Sequence, residues 1–336
     1  MKTALVTGSS GFIGYFVADA LLAAGWRVVG IDNMNDYYDV GLKHARRARL
    51  TAQDGFTDVT DTIAAPGLLT SVFAEHAPEI VIHLAAQAGV RYSLENPMSY
   101  LETNLGGTLQ LLEAARAHPP RHMLMASSSS AYGANTQMPY HEDMKADQQM
   151  SLYAASKKAS ENIAHSYAHL FGTPITMFRF FTVYGQWGRH DMAPHKFTSR
   201  ILKGQPIDVY NHGKMRRDFT YVTDLVEAIM QLVDAVPDFL TQQERYEGDS
   251  LSPVASFRVV NIGNAAAVPL LDFIKAIETA TGRTAQMNMM PMQPGDVPAT
   301  WADVGLLRAL TGYVPQTTVQ EGVPEFVAWY RDYYSA

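Results

Sequence analysis

The sequence predicts an α/β chain: a Rossmann-type doubly wound parallel sheet with a smaller α/β C-terminal lobe that binds substrate. Three observations carry this. A β-α-β pattern opens the chain, with glycines at its first turn and an acid at the end of its second strand. Strand-like and helix-like segments then alternate as far as Gly185, as parallel strands joined by crossover helices must. Beyond Gly185 the alternation becomes irregular. This divides the chain into residues 1–185, a dinucleotide-binding domain, and 186–336, a substrate lobe with some segments interleaved back into the first domain.

Ala4 to Val6 is the first strand, ending at Thr7-Gly8-Ser9-Ser10-Gly11-Phe12-Ile13-Gly14. Glycines there permit a tight turn and close backbone approach, and the N-terminus of the following helix, Tyr15 to Ala24, receives a pyrophosphate. Gly25 caps that helix, and Arg27 to Ile31 is the second strand, closing on Asp32. Asp32 follows Gly14 by eighteen residues, the spacing at which a carboxylate accepts from an adenosine ribose and disfavours a 2′-phosphate. This favours NAD over NADP as the cofactor. Its expected contacts are Gly8, Gly11, Phe12, Ile13, Gly14, Asp32, Asn33 and Asn35. A basic helix with Lys43, Arg46, Arg47 and Arg49 reads as a solvated face.

Asp58 and Val59 end the third strand, where adenine is contacted. Glu79 to Leu84 is the fourth, running into Ala85, Ala86 and Gln87, small residues that let a dinucleotide lie close to the backbone. A long helix runs from Asn96-Pro97 to Ala117 and carries Asn104, a mediocre helix former that implies a specific hydrogen bond and is counted among the expected cofactor contacts. His122 to Ala126 is the fifth strand and ends in four serines, Ser127 to Ser130. Ligands of doubly wound sheets sit at such strand ends. The next helix ends at Phe171-Gly172, and Ile175 to Val183 is a sixth strand. Later come a loop with Arg189, a helix from His195 to Lys203, strands at Ile207 to Tyr210 and Asp218 to Tyr221, and a helix capped by Thr223. Pro237 to Ser256 reads as an exposed excursion, Arg258 to Ile262 as a strand, and Leu270 to Thr281 as a helix. The methionines at 287, 289, 290 and 292 read as core and pocket filler.

Composition narrows the function. With 47% hydrophobic and 18% charged residues, the chain is an ordinary globular protein. A net charge of −7 and the lack of a basic run argue against a nucleic-acid surface. Absence of cysteine excludes disulfides, thiolate metal sites and cysteine nucleophiles. No metal site is expected. No apolar run approaches the ~20 residues of a membrane span, and the apolar start is too short for a signal peptide, so the expected location is the cytoplasm.

Tyr153 and Lys157 stand four apart in a helical pattern, so phenol and ammonium share one face. A nearby cation favours the phenolate and makes it a base usable near neutral pH.

These pieces resemble the extended short-chain dehydrogenases/reductases of the NAD-dependent sugar-nucleotide epimerase/dehydratase family. The matching residues are Gly8-x-x-Gly11-x-x-Gly14, His83-Leu84-Ala85-Ala86, Tyr153-x-x-x-Lys157, Arg179 to Gly185 and Arg217-Asp218-Phe219-x-Tyr221-Val222. Asn33 to Asp39, Ala88 to Ser93 and Met292 to Thr300 are similar to the UDP-glucuronate 4-epimerase branch. The resemblance implies a tightly held NAD, a UDP-hexuronate substrate (UDP-glucuronate or UDP-galacturonate), a homodimer through helices four and five, and Ser128 as third catalytic member with Tyr153 and Lys157. Dehydratases of the group carry an Asp-Glu pair after the catalytic hydroxyl, and decarboxylases a glutamate two residues before the Tyr of Tyr132-Gly133. Here both positions are serine, Ser129 and Ser130, which argues for epimerisation. A UDP-glucose 4-epimerase or a loosely selective enzyme stays open, as does a noncatalytic NAD-binding regulator. Ser128, Ser129, Ser130 and Thr182 are expected to hold the sugar carboxylate, Arg189 and Arg217 the diphosphate with Lys196 adding charge, Tyr210 the uracil, and Asp296 the nucleotide ribose. Arg91 faces the carboxylate or braces its own loop.

Overall fold

The computed structural model describes residues 2–37, 39–241, 246–293 and 296–335. Seven strands form one parallel sheet: β1 (Thr3–Thr7), β2 (Arg27–Ile31), β3 (Phe56–Val59), β4 (Ile80–His83), β5 (His122–Ala126), β6 (Ile175–Phe180) and β7 (Phe257–Ile262). Their order is β7-β6-β5-β4-β1-β2-β3, so the chain reverses direction across the sheet between β1 and β4. The carboxyl ends of those two strands diverge into opposite loops and leave a crevice, the usual ligand position in such sheets. β1, β4 and β5 are fully buried, as apolar runs covered by helices on both faces must be.

The crossover helices are α1 (Phe12–Ala23), α2 (Val40–Thr51), α3 (Leu68–His76), α4 (Thr108–Ala117) and α5 (Leu152–Phe171). One core under α1 joins Val17, Leu21, Val28 and Ile82, and another, under α3 and α4, joins Phe73, Val81, Leu111 and Met123. α4 is preceded by a helical turn at Pro97–Tyr100 and a π-helical stretch at Leu101–Gly107, so the expected single helix is three segments. A third core, built around Phe219, Phe273, Val323 and Phe326, comes from segments after Thr182. Among the described residues no helix is long and apolar enough to cross a membrane.

Several expectations change. The sixth strand breaks at Phe181: Thr182–Tyr184 leaves the sheet to pair with Phe219–Tyr221. Thr223 does not cap its helix, which starts at Val222 with Tyr221 in the cap position. The excursion at 237–256 is not wholly exposed, because Asp249 is buried in an ion pair with Arg258 and Leu251 and Ala255 are buried too. Met287, Met289 and Met292 are exposed rather than core. The basic face of α2 is the clearest correction. Lys43 and Arg46 are buried, with Arg46 donating to the carbonyls of Ser10 (2.9 Å) and Trp187 (2.6 Å). Arg49 donates to the Tyr15 hydroxyl and lies over the Trp187 ring. Each guanidinium has acceptors inside the fold, which water would otherwise have to supply.

Candidate active site

The first turn is built for close approach. Gly8 has φ +74°, and a Cβ on it would stand 2.9 Å from the Ala85 nitrogen; one on Gly14 would stand 2.0 Å from the Gly8 carbonyl. Only glycine fits positions where the turn folds against itself and against the end of β4. Gly8, Gly11, Phe12, Ile13 and Gly14 all line one elongated cleft. Asp32 lines it too, its carboxylate oriented by the Ser10 (3.2 Å) and Met34 (2.9 Å) N–H groups. Asn33 and Asn35 continue that wall. Lys43 stands beside them, 3.7 Å from Asp32 and donating to Asn35 at 2.8 Å. Burial pulls its ammonium below the usual lysine range, with Asp32 opposing. Glycine turn, helix N-terminus and the carboxylate that follows β2 together fit a dinucleotide.

Leu84, Ala85, Ala86 and Gln87 form the opposite wall. The Thr7 hydroxyl accepts from the Leu84 and Ala85 N–H groups, both at 3.2 Å, and so donates its own proton to His83 Nδ1 at 2.7 Å. Burial and the Lys157 charge push the His83 imidazole down to about 3, keeping it the neutral acceptor this requires. Asn104 accepts from the Gln87 N–H (2.8 Å) and donates to the Gln87 carbonyl (3.0 Å) and the Ser156 hydroxyl (2.9 Å). It acts by bracing that wall against α5 and is not itself part of the cleft surface. Asp58 and Val59 are not on that surface either; Asp58 is bound by Arg47, and Asp61, Thr62 and Ile63 line the cleft there.

Ser151 caps α5 by accepting from the Ala154 N–H. Tyr153 and Lys157 both face the cleft. Burial raises the Tyr153 phenol above its ordinary range, while the influence of Ser128 and the Arg189 charge pull it back. Ser128 is buried at the start of a 3₁₀ turn (Ser129–Tyr132) and accepts from the Ser130 N–H at 3.1 Å. Lys157 shares that cleft and also takes a partner at the end of β5. Its ammonium donates to the Ala126 carbonyl at 2.9 Å, an acceptor at the strand end in an otherwise dry place, and burial pulls it down to about 8 against the opposing charge of Glu161.

Arg189 lines the cleft with Tyr153 and is clasped by Asp191 through two bonds of 3.0 and 2.7 Å. Arg217 donates to the carbonyls of Arg216 and Val297. Arg91 lies 5.2 Å above the Tyr210 ring and 3.7 Å from Asp296, which links three expected substrate residues. Thr182 and Ser129 are half-buried and Lys196 is exposed on its helix. Tyr38, Pro294 and Gly295, in stretches that carried the resemblance, lie outside the described residues. Lys43, Asp61, Thr62, Ile63, Thr103 and Phe180 line the cleft without having been expected to, and Tyr37 of the Asp32 loop lines it as well. Of these only Lys43 had a signal, a lysine one helical turn from the Asp32 loop.

The model of the NAD dependent epimerase/dehydratase family matches residues 4–246. A protein of Rhizobium meliloti named probable UDP-glucuronate 4-epimerase is 51% identical over 331 residues, covering 98% of this chain and 97% of that one. The crystal structure of UDP-glucuronic acid 4-epimerase from Bacillus cereus with UDP-glucuronic acid and NAD superposes with a TM-score of 0.88 at 29% identity, covering 99% and 100% of the two chains. A UDP-glucose 4-epimerase of Thermotoga maritima, solved with UDP-glucose, reaches a TM-score of 0.84 at 26% identity, covering 99% of each. With the glycine turn, Asp32 and the Tyr153-Lys157 helix arranged around one cleft, the chain belongs to the NAD dependent epimerase/dehydratase family.

Proposed function

We propose that this chain interconverts UDP-glucuronate and UDP-galacturonate by NAD-dependent epimerisation at C4, through a 4-keto sugar. The observation that carries the reading is a single dinucleotide cleft lined by both Tyr153 and Lys157, with serine rather than acid at 129 and 130. The names of the relatives support it. NAD, when bound, supplies the hydride acceptor for C4 and the donor that returns it. Gly8, Gly11 and Gly14 would hold its pyrophosphate, Asp32 its adenosine ribose, and Lys157 its nicotinamide ribose. Tyr153 takes the proton of the 4-hydroxyl and later gives it back, while Ser128 fixes the position of that oxygen.

The lobe of residues 186–336 takes the UDP part. Arg189 and Arg217 suit diphosphate oxygens with their forked guanidinium groups, and Lys196 adds charge. Tyr210 covers the uracil and Asp296 the nucleotide ribose, with Arg91 closing between them. A 4-keto uronate is a β-keto acid and loses CO2 when its C5–C6 bond aligns with the carbonyl π system. Neutral donors at Ser128, Ser129, Ser130 and Thr182 hold the carboxylate out of that alignment. Leu94, Met98 and Leu101 on the approach to α4, Leu109 in its first turn and Leu170 at the end of α5 are exposed, which supports a homodimer across these helices. Incubation of the purified protein with UDP-glucuronate, UDP-galacturonate and UDP-glucose, followed by separation of products, tests the reading. Interconversion of the two uronates is expected; turnover of UDP-glucose alone would replace it with the neutral-sugar activity.

A further inference from the structure

Tyr153, Lys157 and Glu161 stand at i, i+4 and i+8 on α5 and form one stripe of that helix. The first two belong to the proposed chemistry. Glu161 does not touch the cleft surface, and it is 1% exposed. Its carboxylate accepts from the Ser127 hydroxyl (2.6 Å), from Arg179 Nε (2.9 Å) and Nη2 (2.8 Å), and from Lys158 Nζ (2.9 Å). Arg179, on β6, is 2% exposed and lies 4.4 Å above the Tyr132 ring, whose hydroxyl donates to Asn261. A buried ion pair of this kind gives little net stability, because desolvation offsets most of the attraction. Its placement calls for another explanation. Glu161 bonds the residue immediately before Ser128 and acts on the ammonium one helical turn before it.

We propose that Glu161 is a positioning residue for the active site: it holds Lys157 as an ammonium in its dry seat, and through Ser127 it fixes the strand end that presents Ser128 to Tyr153. This rests on the roles proposed above for Ser128, Tyr153 and Lys157. The groups around Lys157 leave Glu161 as its counter-charge. From β5 the Ala126 carbonyl accepts its proton, from β4 the imidazole of His83 stays neutral, and on its own helix Tyr153 is a neutral phenol. Arg189, from the loop after Gly185, acts on Tyr153. Glu161 raises Lys157 against a burial that leaves it at about 8. The carboxylate stays ionised: burial pushes it up, but Arg179, Lys158 and Ser127 outweigh that and bring it to about 2.

The test compares E161Q, E161D and the double variant E161Q/R179M, which removes the orphaned guanidinium as well. Two quantities are read: the pH dependence of kcat for uronate interconversion, and the Lys157 titration by NMR of 13Cε-labelled lysine, assigned through K157R. Activity that needs the ammonium is complete below the lysine pKa and is lost as pH rises through it. In the wild type that limb is expected near pH 8. E161Q and E161Q/R179M are expected to move the limb and the titration down by roughly one pH unit, while E161D keeps both in place. A uniform loss of kcat at all pH values, with the limb unmoved, would reduce Glu161 to a structural residue. A wild-type Lys157 titrating at the ordinary lysine value would overturn the proposal without any variant. The titration needs no turnover, so absent epimerisation would sink the functional reading and leave this one decided separately.

Discussion

Replacing Asn104 by leucine removes the link between the Leu84–Gln87 wall of the cleft and α5. Asn104 is 2% exposed and makes three hydrogen bonds, two of them to the backbone N–H and carbonyl of Gln87. The Ser156 hydroxyl keeps its bond to the Tyr153 carbonyl at 2.8 Å, so it is not orphaned. The loss falls on the two Gln87 groups, each costing about 1–3 kcal/mol when buried without a partner. Leucine is apolar and of similar size, which returns part of that. A net loss of about 3 kcal/mol follows, a large share of the ~5–15 kcal/mol that holds a domain together. The bonds come from a π-helical stretch, where the Asn104 carbonyl also accepts from Ser160. The stretch therefore carries two connections to α5, and the substitution cuts one. Denaturant unfolding at neutral pH, with and without NAD, reads both consequences. The stability loss should be accompanied by weaker NAD binding, because Gln87 lines the cleft. A stability loss under about 1 kcal/mol, or a full loss with unchanged NAD affinity, would refute the reasoning.

Glu142 is buried, with Oε2 unpartnered among the described residues, and burial pushes its carboxyl up to about 7 while the Asn261 N–H opposes. Because the folded pKa lies above the unfolded one, stability falls as pH rises from about 4.5 to 7. The cost above that window is about 3 kcal/mol, and urea titrations of E142Q should lack that pH dependence. Gly14→Ala places a methyl group 2.0 Å from the Gly8 carbonyl, so dialysis should show NAD binding lost while the circular dichroism of the sheet is kept. Ser130→Ala and Ser130→Glu should divert part of the product to CO2 and a UDP-pentose, detected by trapping the gas; unchanged partitioning would remove Ser130 from the carboxylate clamp.

The fold was legible where the physics is local and severe. β2 and the helix Leu270–Thr281 lie where their patterns placed them, and the glycine turn announced itself because no side chain fits there. The Asn104 bond was legible because asparagine has no other reason to sit in a helix. What escaped was contact between distant segments. A basic helix face looks the same whether its cations meet water or, as Arg46 does, a carbonyl 141 residues away. The strand Phe257–Ile262 reads as another strand, but nothing local says that it returns to the edge of the first sheet beside β6. The turn of Lys157 toward the Ala126 carbonyl depends on how β5 ends, which the spacing of Tyr153 and Lys157 does not encode. Likewise Arg91, Tyr210 and Asp296 each carried a separate expectation, and only the fold brings the three together.

The proposed reaction is a reversible oxidation at the sugar C4, with the removed hydrogen returned to the same carbon. UDP-glucuronate deuterated at C4, incubated with the purified protein in ordinary water, tests it most directly. UDP-galacturonate that retains deuterium at C4 is expected. Galacturonate whose label has exchanged with solvent, or no galacturonate at all, would contradict it.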